Sequence, residues 1–523
     1  MIWKHWKRWE KIVFIAILVV ALFTRFYILG ARVMSHDESL HTKFSWQLYA
    51  GQGYAANPMM HGPLLFHLNA LAYFLLGVND FASRVMPALA GVALVLTPWL
   101  FRRWLKPGGT VAASGMLLLS PAISYYSRYI RHDVYNMLAA VFMLWTVFKY
   151  LERRQARWLY GLAAAFALLY ATKETAYIYT AIFFGLLFVP FALQIMTQRW
   201  RRPAFFGWFL GAVVVLLVLM VVFGLALQSA EMEEQSLDED GNTRVVLPRL
   251  PIWGYLSVVL AAVALFVAAG LLYFGLGESA LRAMPLFDLL MTLGTLTLPL
   301  GSALIIYLAG VDMLSLYNAL MNADVTNLLG ANLWVAIVIM LVVLIGSVLL
   351  GLWWDPRRWP FIAAIHYGIF IILYSTVFTN AAGVVMGLVG GLAYWLAQQG
   401  VERGSQPGYY YALLMPLYEF LPLLFSAVGG LGAVAHFFGP RVEERETASA
   451  DSAWQSLVRD LMSRLLDPQR FFPLFLLGWT GLAWIGYTVA GEKMPWLVVH
   501  IALPSIFLAA WVLGWIIEAL DGR

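Results

Sequence analysis

Long apolar segments recur along the whole 523-residue chain, and short polar segments separate them. A helix of about 20 apolar residues is long enough to cross a hydrocarbon core about 30 Å thick. The pattern therefore predicts an all-α polytopic membrane protein with about 14 spanning helices. These helices are predicted near residues 12–30, 80–101, 108–125, 134–148, 158–172, 175–197, 204–227, 252–276, 286–308, 331–352, 361–379, 410–437, 471–490 and 496–516.

Basic residues between these segments predict the orientation of the chain, because Lys and Arg concentrate on the cytoplasmic side. Lys4, Lys7, Arg8 and Lys11 precede the first apolar segment, which we interpret as a retained span rather than a cleaved signal peptide. Both termini are then cytoplasmic. The predicted external loops are 31–61, 126–133, 173–174, 228–251, 309–330, 380–409 and 491–495.

Residues 62–77 form an apolar segment that does not fit this alternation of sides. The segment is about 24 Å long as a helix, begins and ends with Gly, and contains His67 and Asn69. A crossing here would reverse every later assignment. We therefore predict a re-entrant or interfacial helix, so that the chain stays on the external side.

The same pattern divides the chain into four parts. Residues 1–197 form a first module with external loop 31–61, and residues 198–437 add further spans with external loops 228–251, 309–330 and 380–409. A charged cytoplasmic linker, 438–470, precedes a final pair of spans, 471–523, which are joined by the external sequence GEKMPW.

Composition narrows the function classes. Hydrophobic residues make up 62% of the chain and charged residues 12%, whereas soluble domains carry about 25% charged residues. The absence of cysteine excludes disulfides and thiolate metal sites. The net charge of +5 reflects basic residues on the cytoplasmic side of the predicted spans, so it does not predict nucleic acid as a partner. The sequence contains no phosphate-binding glycine loop, so a nucleotide is not predicted either.

Two polar clusters lie in the first predicted external region. His36, Asp37 and Glu38 follow the first span, where paired carboxylates can act as a general base or as metal ligands. A solvated acidic loop is an equally good interpretation. His61 precedes Gly62-Pro63 at the start of the non-crossing helix, and it can be an anion donor or a purely structural histidine.

A denser cluster lies between two predicted spans, in the sequence YYSRYIRHDVY. It contains Arg128, Arg131, His132 and Asp133, and such charges are costly near hydrocarbon unless they are paired or hydrated. The planar guanidinium of Arg suits phosphate oxygens, which favours a functional site. An Arg–Asp structural clamp is the alternative.

Two very short predicted loops each carry one acid and one base. Lys173 and Glu174 lie between apolar segments, and Glu492 and Lys493 precede Trp496 and His500. A lysine there can meet a phosphate as a point charge. The alternatives are a local ion pair in the first loop and an interfacial anchor in the second.

Residues 380–411 combine aromatic and amide side chains. Rings stack on sugar faces and amides bind hydroxyl groups, so this composition is typical of a sugar-binding surface. An aromatic belt at the membrane interface explains it equally well. The candidate residues are Trp395, Gln398, Gln399, Arg403 and Tyr410.

Taken together, these motifs resemble the GT-C superfamily of membrane glycosyltransferases, in the branch that contains protein O-mannosyltransferases and lipid A aminoarabinose transferases. This chain has Gly62-Pro63-Leu64 where that branch has Pro-Pro-Leu. A closer resemblance, over nearly the whole chain, is to the flippase-activity-associated membrane proteins linked to N-glycosylation. It rests on the motifs HDES, HGPLL, SRxIRHD, TKE, YWLxQQxVxRGxQPxYYY and GEKxPWLxxH.

The resemblance implies transfer of a sugar from a polyprenyl phosphate, such as dolichyl or undecaprenyl phosphate, to a protein, lipid or glycan acceptor outside the membrane. Asp37 would be the base, Glu38 would orient the acceptor or share the charge, and Asp133 would orient the basic set or act as a second acid. Residues 1–197 would form the catalytic module. Donor phosphate would be bound by Arg128, Arg131, His132, Lys173, Lys493 and His61, and sugar or acceptor by Glu174, Glu492 and the candidates in 380–411.

Metal use varies across the superfamily, so no cofactor is assigned, and a divalent metal stays an open alternative. A non-enzymatic flippase or flippase-associated protein is the main functional alternative. It would need the phosphate site but not the base. A structural assembly subunit would need neither.

Overall fold

The computed structural model describes residues 6–54, 56–229, 251–309, 311, 333–398, 406–439, 453–490 and 493–520. Within these residues the secondary structure consists of helices and turns, without a β-strand. The predicted fold class is therefore confirmed: the chain is an all-α, multi-pass integral membrane protein.

The first half of the chain forms eleven α-helices in the described residues. They are α1 (Arg8–Phe26), α2 (His36–Tyr49), α3 (Leu64–Leu76), α4 (Asp80–Leu96), α5 (Arg102–Leu119), α6 (Pro121–Tyr126), α7 (Asp133–Arg153), α8 (Ala156–Tyr170), α9 (Thr175–Thr197), α10 (Pro203–Gln228) and α11 (Ile252–Leu276).

Twelve further α-helices complete the described part. They are α12 (Glu278–Arg282), α13 (Pro285–Leu300), α14 (Ser302–Leu308), α15 (Leu333–Trp354), α16 (Trp359–Tyr374), α17 (Ala382–Val385), α18 (Gly391–Gln398), α19 (Tyr410–Tyr418), α20 (Phe420–Phe438), α21 (Ala453–Leu465), α22 (Pro468–Val489) and α23 (Val498–Leu520).

Contacts divide the chain into two compact units. Unit 1 comprises residues 1–186, 360–387 and 402–523, and unit 2 comprises residues 187–359 and 388–401. In unit 1, α5, α20 and α22 pack against α23, whose apolar face is almost completely buried. In unit 2, α10 pairs with α11 and α13 with α15.

Nine helices in the described residues are long and apolar enough to span a membrane, or ten if the bent pair α13 and α14 counts as one span. Helical structure is present at each of the 14 predicted positions. However, α8 and α16 are short, and α4 and α5 are counted as one 40-residue helix. That long helix contains a break at Lys106, whose φ is 64°. The number 14 stays a prediction.

Helix α3 matches the apolar segment that we predict not to cross. It has 13 residues and buries Leu65, Phe66 and Tyr73, whereas Phe74 and Leu75 are exposed. Thirteen residues rise about 20 Å, which is less than the hydrocarbon thickness. The length agrees with a non-crossing helix.

Local sequence explains where the helices around the site begin. Ser35 caps α2 in a capping box with Glu38, and the Asn79 side chain accepts a hydrogen bond from Ala82 N at the start of α4. Pro121 occupies the first turn of α6, where a missing N–H costs nothing. The caps at Ser35 and Asn79 fix where the connecting segments 27–35 and 77–79 end and the helices begin.

Candidate functional site

Glu38 is a buried structural junction in unit 1. Its carboxylate accepts hydrogen bonds from Arg84 Nε at 3.0 Å and Nη2 at 3.1 Å, and from Arg32 Nη2 at 2.8 Å. The backbone N–H of Ile130 also donates to it, at 3.3 Å. Glu38 thereby joins α2 to α4 and to the segment that carries Arg131.

Asp37 precedes Glu38 and has a different environment. Its side chain is 37% exposed, and its Oδ2 accepts a hydrogen bond from Arg131 Nη1. An exposed carboxylate beside a buried cation can meet a substrate while its negative charge is stabilised. Asp37 is therefore the carboxylate of this pair that a substrate can reach.

Arg131 lies between two carboxylates and an aromatic ring. Its Nε donates to Asp133 Oδ2 at 3.3 Å, and its guanidinium carbon lies 3.5 Å from the centroid of the Trp496 ring. Only 6% of the side chain is exposed. The stacking on Trp496 fixes the plane of the guanidinium, so that its remaining donors have a defined direction.

Asp133 is fully buried at the first position of α7. Its Oδ1 accepts from Lys173 Nζ at 2.9 Å and from His500 Nε2 at 3.0 Å. The other nitrogen of His500 is hydrogen-bonded to the Tyr179 hydroxyl at 2.8 Å. Asp133 thus holds two cations and a histidine from three parts of the chain.

His61 and Glu174 form a hydrogen-bonded pair. His61 Nδ1 lies 2.6 Å from Glu174 Oε2, and His61 itself has a φ of 66°. A non-glycine residue in this left-handed region costs on the order of 1–3 kcal/mol, so surrounding contacts must hold it there. The pair links the segment before α3 to the loop before α9.

Three histidine rings, those of His41, His61 and His132, are packed edge to face. The centroid of His132 lies 5.1 Å from that of His41 and 5.3 Å from that of His61. His132 Nε2 donates to Gly62 O at 3.0 Å, and His41 Nδ1 donates to Ile130 O at 2.8 Å.

Burial sets the charge state of two of these rings. Burial, with a smaller effect of the Arg131 charge, lowers the pKa of His41 to about 3. Burial also lowers the pKa of His132 well below its usual value, and the nearby His41 and His61 add to this effect. Both rings are neutral at physiological pH, so they act as hydrogen-bond groups rather than as cations.

Other predicted residues lie elsewhere in the fold. Arg128 donates to Tyr27 O at 2.6 Å and to Thr24 O at 3.3 Å, and Lys493 donates to Ala490 O at 3.1 Å. In the part of the chain that the structure describes, neither is hydrogen-bonded or ion-paired to Arg131 or Asp133. Their roles in phosphate binding stay predictions.

The predicted sugar-binding candidates are only partly described. Glu492, Gln399 and Arg403 lie outside the described residues, as does the side chain of Gln398. Trp395 is in α18 of unit 2, and Tyr410 is in α19 of unit 1.

Tyr410 does line a cavity of about 530 Å³ within unit 1. The cavity walls come from α6, α19 and the segment that begins at Pro495, next to Trp496. They include Tyr125, Tyr126, Tyr410, Leu414, Tyr418 and Pro495. Such an aromatic and apolar cavity suits the hydrocarbon chain of a lipid.

Sequence reasoning missed Arg84 and Tyr179, and it gave Trp496 and His500 only accessory roles. Arg84 had a usable signal, because it is a charged residue inside an apolar segment, and such residues are usually paired. Tyr179 had none, since one tyrosine in an apolar helix looks like any other.

Within the described residues, no group of three or more His, Cys, Asp or Glu side chains is arranged to hold a metal ion.

Comparison with known proteins gives one sequence match and several weak structural ones. Residues 60–224 match the model of the dolichyl-phosphate-mannose-protein mannosyltransferase family. This stretch includes His61, Arg131, Asp133, Lys173 and Glu174. No curated protein matches the sequence.

Among solved structures, the archaeal oligosaccharyltransferase AglB from Archaeoglobus fulgidus, in complex with an inhibitory peptide and a dolichol-phosphate, is 11% identical, with a TM-score of 0.44. The match covers 98% of this chain and 52% of AglB, so the chain spans about half the length of that protein.

ArnT from Cupriavidus metallidurans bound to undecaprenyl phosphate is 12% identical, with a TM-score of 0.29. The match covers 98% of this chain and 79% of ArnT. TM-scores below 0.5 do not establish a shared fold. The family match over residues 60–224, on an all-α multi-pass chain, supports the resemblance to the GT-C superfamily of membrane glycosyltransferases.

Proposed function

We propose that this protein is a glycosyltransferase that moves a sugar from a polyprenyl-phosphate donor to an acceptor hydroxyl on the external face of the membrane. The observation that supports this most directly is the pairing of half-exposed Asp37 with buried Arg131, which Asp133 and Trp496 hold in place. A base and an anion-binding cation therefore lie side by side.

The cationic part of the site suits a phosphate leaving group. Arg131 and Lys173 carry two positive charges, which pair with the carboxylates of Asp133 and Asp37. The donor phosphate gains negative charge as its bond to the sugar breaks, and fixed cations stabilise that charge best where water is excluded. In this proposal Arg131 binds the phosphate oxygens through its remaining N–H donors, and Lys173 supports it through Asp133.

The acidic part of the site suits the acceptor. The acceptor oxygen attacks the anomeric carbon, Asp37 takes the hydroxyl proton, and the carbon–oxygen bond to phosphate breaks with its electron pair on the phosphate. The family resemblance implies inversion at the anomeric carbon. Glu38 holds Asp37 in position through α2, because its own carboxylate is fully occupied by Arg32 and Arg84.

The lipid part of the donor has a suitable place next to this site. The 530 Å³ aromatic cavity adjoins Pro495, one residue before the Trp496 that stacks on Arg131. The matching family is named for a dolichyl-phosphate sugar donor. AglB and ArnT were solved with dolichol-phosphate and undecaprenyl phosphate, which are lipids of the same chemical class.

Transfer activity with and without the carboxylate of Asp37 tests this function. Asp37→Asn keeps the shape but cannot accept a proton, so transfer from a polyprenyl-phosphate sugar in reconstituted membranes should fall on the order of 100- to 10,000-fold. Donor binding should persist. Asp80→Asn is the matched control, because Asp80 is an exposed acid at the start of α4 and should leave transfer unchanged.

The same experiment separates the enzyme from a flippase. A flippase needs the phosphate site but no base, so it would show donor translocation that survives Asp37→Asn and no transfer by the wild type. Undiminished transfer by Asp37→Asn would instead remove Asp37 as the base while leaving the transferase function in place.

A further inference from the structure

A second cavity in unit 1 contains arginines and shares only Tyr125 with the aromatic cavity next to the site. It has a volume of about 600 Å³ and lies where the ends of α1, α5 and α6 meet. Arg131, Asp133 and Lys173 do not line it. The residues that line it include Arg25, Arg32, Arg128, Phe23, Leu119 and Tyr125. We name this cavity the arginine pocket.

Two of its three guanidinium groups lack an acidic partner in the described part of the chain. Arg25 donates to the carbonyl oxygens of Leu117 and Leu118, and Arg128 donates to those of Thr24 and Tyr27. Carbonyl groups satisfy hydrogen bonds but carry no formal charge, so both positive charges stay uncompensated.

The third arginine shares its acid with another cation. Arg32 binds Glu38 at 2.8 Å, but the same carboxylate also binds Arg84. Four arginines in this region therefore face one negative charge. Such an excess of buried or half-buried positive charge is costly unless an anion compensates it.

One donor group also has no partner. Arg25 is fully buried, and its Nε is without a hydrogen-bond partner in the described residues. A buried N–H without a partner is unfavourable, so this guanidinium keeps an unused capacity to donate a hydrogen bond.

The mouth of the pocket is apolar. Leu119 is 76% exposed and Phe23 is 60% exposed, and both belong to helices of a membrane-spanning chain. Positive charge behind an exposed apolar rim matches an amphiphile with an anionic head. A free anion would gain nothing from that rim.

We propose that the arginine pocket binds the phosphate head group of an anionic membrane lipid, with its acyl chains along Phe23 and Leu119. Guanidinium groups of Arg32 and Arg128 meet the phosphate oxygens, and Arg25 adds charge from behind. Tyr125, which already accepts a hydrogen bond from Arg32 at 2.7 Å, closes one side.

Native mass spectrometry of the full chain with phosphatidylglycerol tests this site. Arg128→Gln removes a charge whose bonds go only to backbone carbonyls, and it should weaken phosphatidylglycerol binding about tenfold or more. Arg153→Gln is the control. It is exposed at the other end of α7, about 30 Å along the helix from Asp133.

A second pair of variants does not depend on the arginines. Leu119→Glu and Leu119→Gln place groups of the same shape at an exposed position, and only the first adds a negative charge. Leu119→Glu should bind phosphatidylglycerol several-fold more weakly than Leu119→Gln. The pair differs only in charge, so the comparison is made on preparations of both variants that unfold at the same temperature.

Lipid specificity completes the test. Phosphatidylcholine, whose head group has no net charge, should bind more weakly than phosphatidylglycerol, and millimolar inorganic phosphate should not displace the lipid. Equal binding of both lipids, displacement by inorganic phosphate, or unchanged affinity in Arg128→Gln and Leu119→Glu would each overturn the proposal. Because transfer activity plays no part in the readout, this result is independent of the proposed function.

Discussion

At the scale of single residues, buried charges organise the site. Glu38 and Asp133 are both fully buried, and each collects two cations from different parts of the chain. Such groups are strongly coupled, since removal of one partner leaves another charge buried without compensation. The two carboxylates therefore have a structural function that is separate from any role in chemistry.

Asp133→Asn tests the structural function of the second carboxylate. The amide cannot balance Lys173, which is buried, so the free energy of unfolding should fall by about 3–5 kcal/mol. Thermal unfolding in detergent measures the change. The exposed Asp80→Asn should lower the midpoint very little, and an equal effect of both substitutions would contradict the role of Asp133.

The buried histidines predict how stability depends on pH. Burial keeps the folded-state pKa of His41 near 3, whereas an unfolded histidine titrates near 6.5. The unfolded state thus binds the extra proton first, and stability is lost as the pH falls from about 6.5 towards 3. One such histidine contributes up to about 1.4 kcal/mol per pH unit.

Unfolding midpoints at pH 7.5 and pH 5.5 should show this loss. His41→Asn keeps a donor near Ile130 O and removes the titrating ring, so it should reduce the difference between the two midpoints. His36→Asn changes an exposed histidine of the same helix and should leave the difference unchanged. If His41→Asn leaves it unchanged too, His41 does not contribute.

At the scale of elements, helix ends rather than helix interiors build the site. Asp37 lies in the first turn of α2, Asp133 begins α7, and Lys173 precedes α9. The segment before α3 docks on the last of these ends: Gly62 N donates to Thr172 O at 2.9 Å, and Leu64 N donates to Ala171 O at 3.0 Å. This docking brings His61 next to Glu174.

Gly62→Ala tests that docking. An added Cβ would lie 2.2 Å from Ala171 O, a distance at which the backbone must move, and overpacking of this kind costs about 1–3 kcal/mol. Transfer activity should fall as well, because His61 and His132 contact this segment. Gly115→Ala in α5 meets nothing within 4 Å and should keep both stability and activity.

The positions of several of these helices could be predicted from the sequence. The contacts between their polar side chains could be predicted only in part. Hydropathy located the helices, because length and apolarity alone determine what can cross a bilayer. The clustering of Arg131 with Asp133 could be foreseen from their proximity in sequence. The choice of Lys173 over Lys493 as the lysine that contacts Asp133 could not, since both lie in short predicted loops and only packing distinguishes them.

At the scale of the whole molecule, the two units differ in how they expose apolar surface. The spanning windows of α10, α11 and α15 in unit 2 are 6%, 17% and 17% buried, whereas those of α20, α22 and α7 in unit 1 are 28%, 44% and 72% buried. Helices that are apolar on all sides belong in lipid or in a larger assembly. Unit 1 contains all the described ion pairs of the candidate site.

The side of the membrane on which unit 1 presents its site is a property of the whole chain, and it depends on whether α3 crosses. The wild type has no cysteine, so a single introduced cysteine reports its own position.

Val33, Gln52, Val78 and Gln155 are all exposed. Gln52 precedes α3 and Val78 follows it, so a non-crossing α3 leaves both on the same side. An impermeant thiol reagent applied outside intact cells should label Val33→Cys, Gln52→Cys and Val78→Cys, and it should label Gln155→Cys only after permeabilisation. Labelling of Val78→Cys solely from the cytoplasm would show that α3 crosses. A crossing α3 would place Arg131 and Asp133 on the opposite side of the membrane from Asp37. The ion pairs that join these residues forbid that arrangement unless the rest of the predicted topology is also wrong.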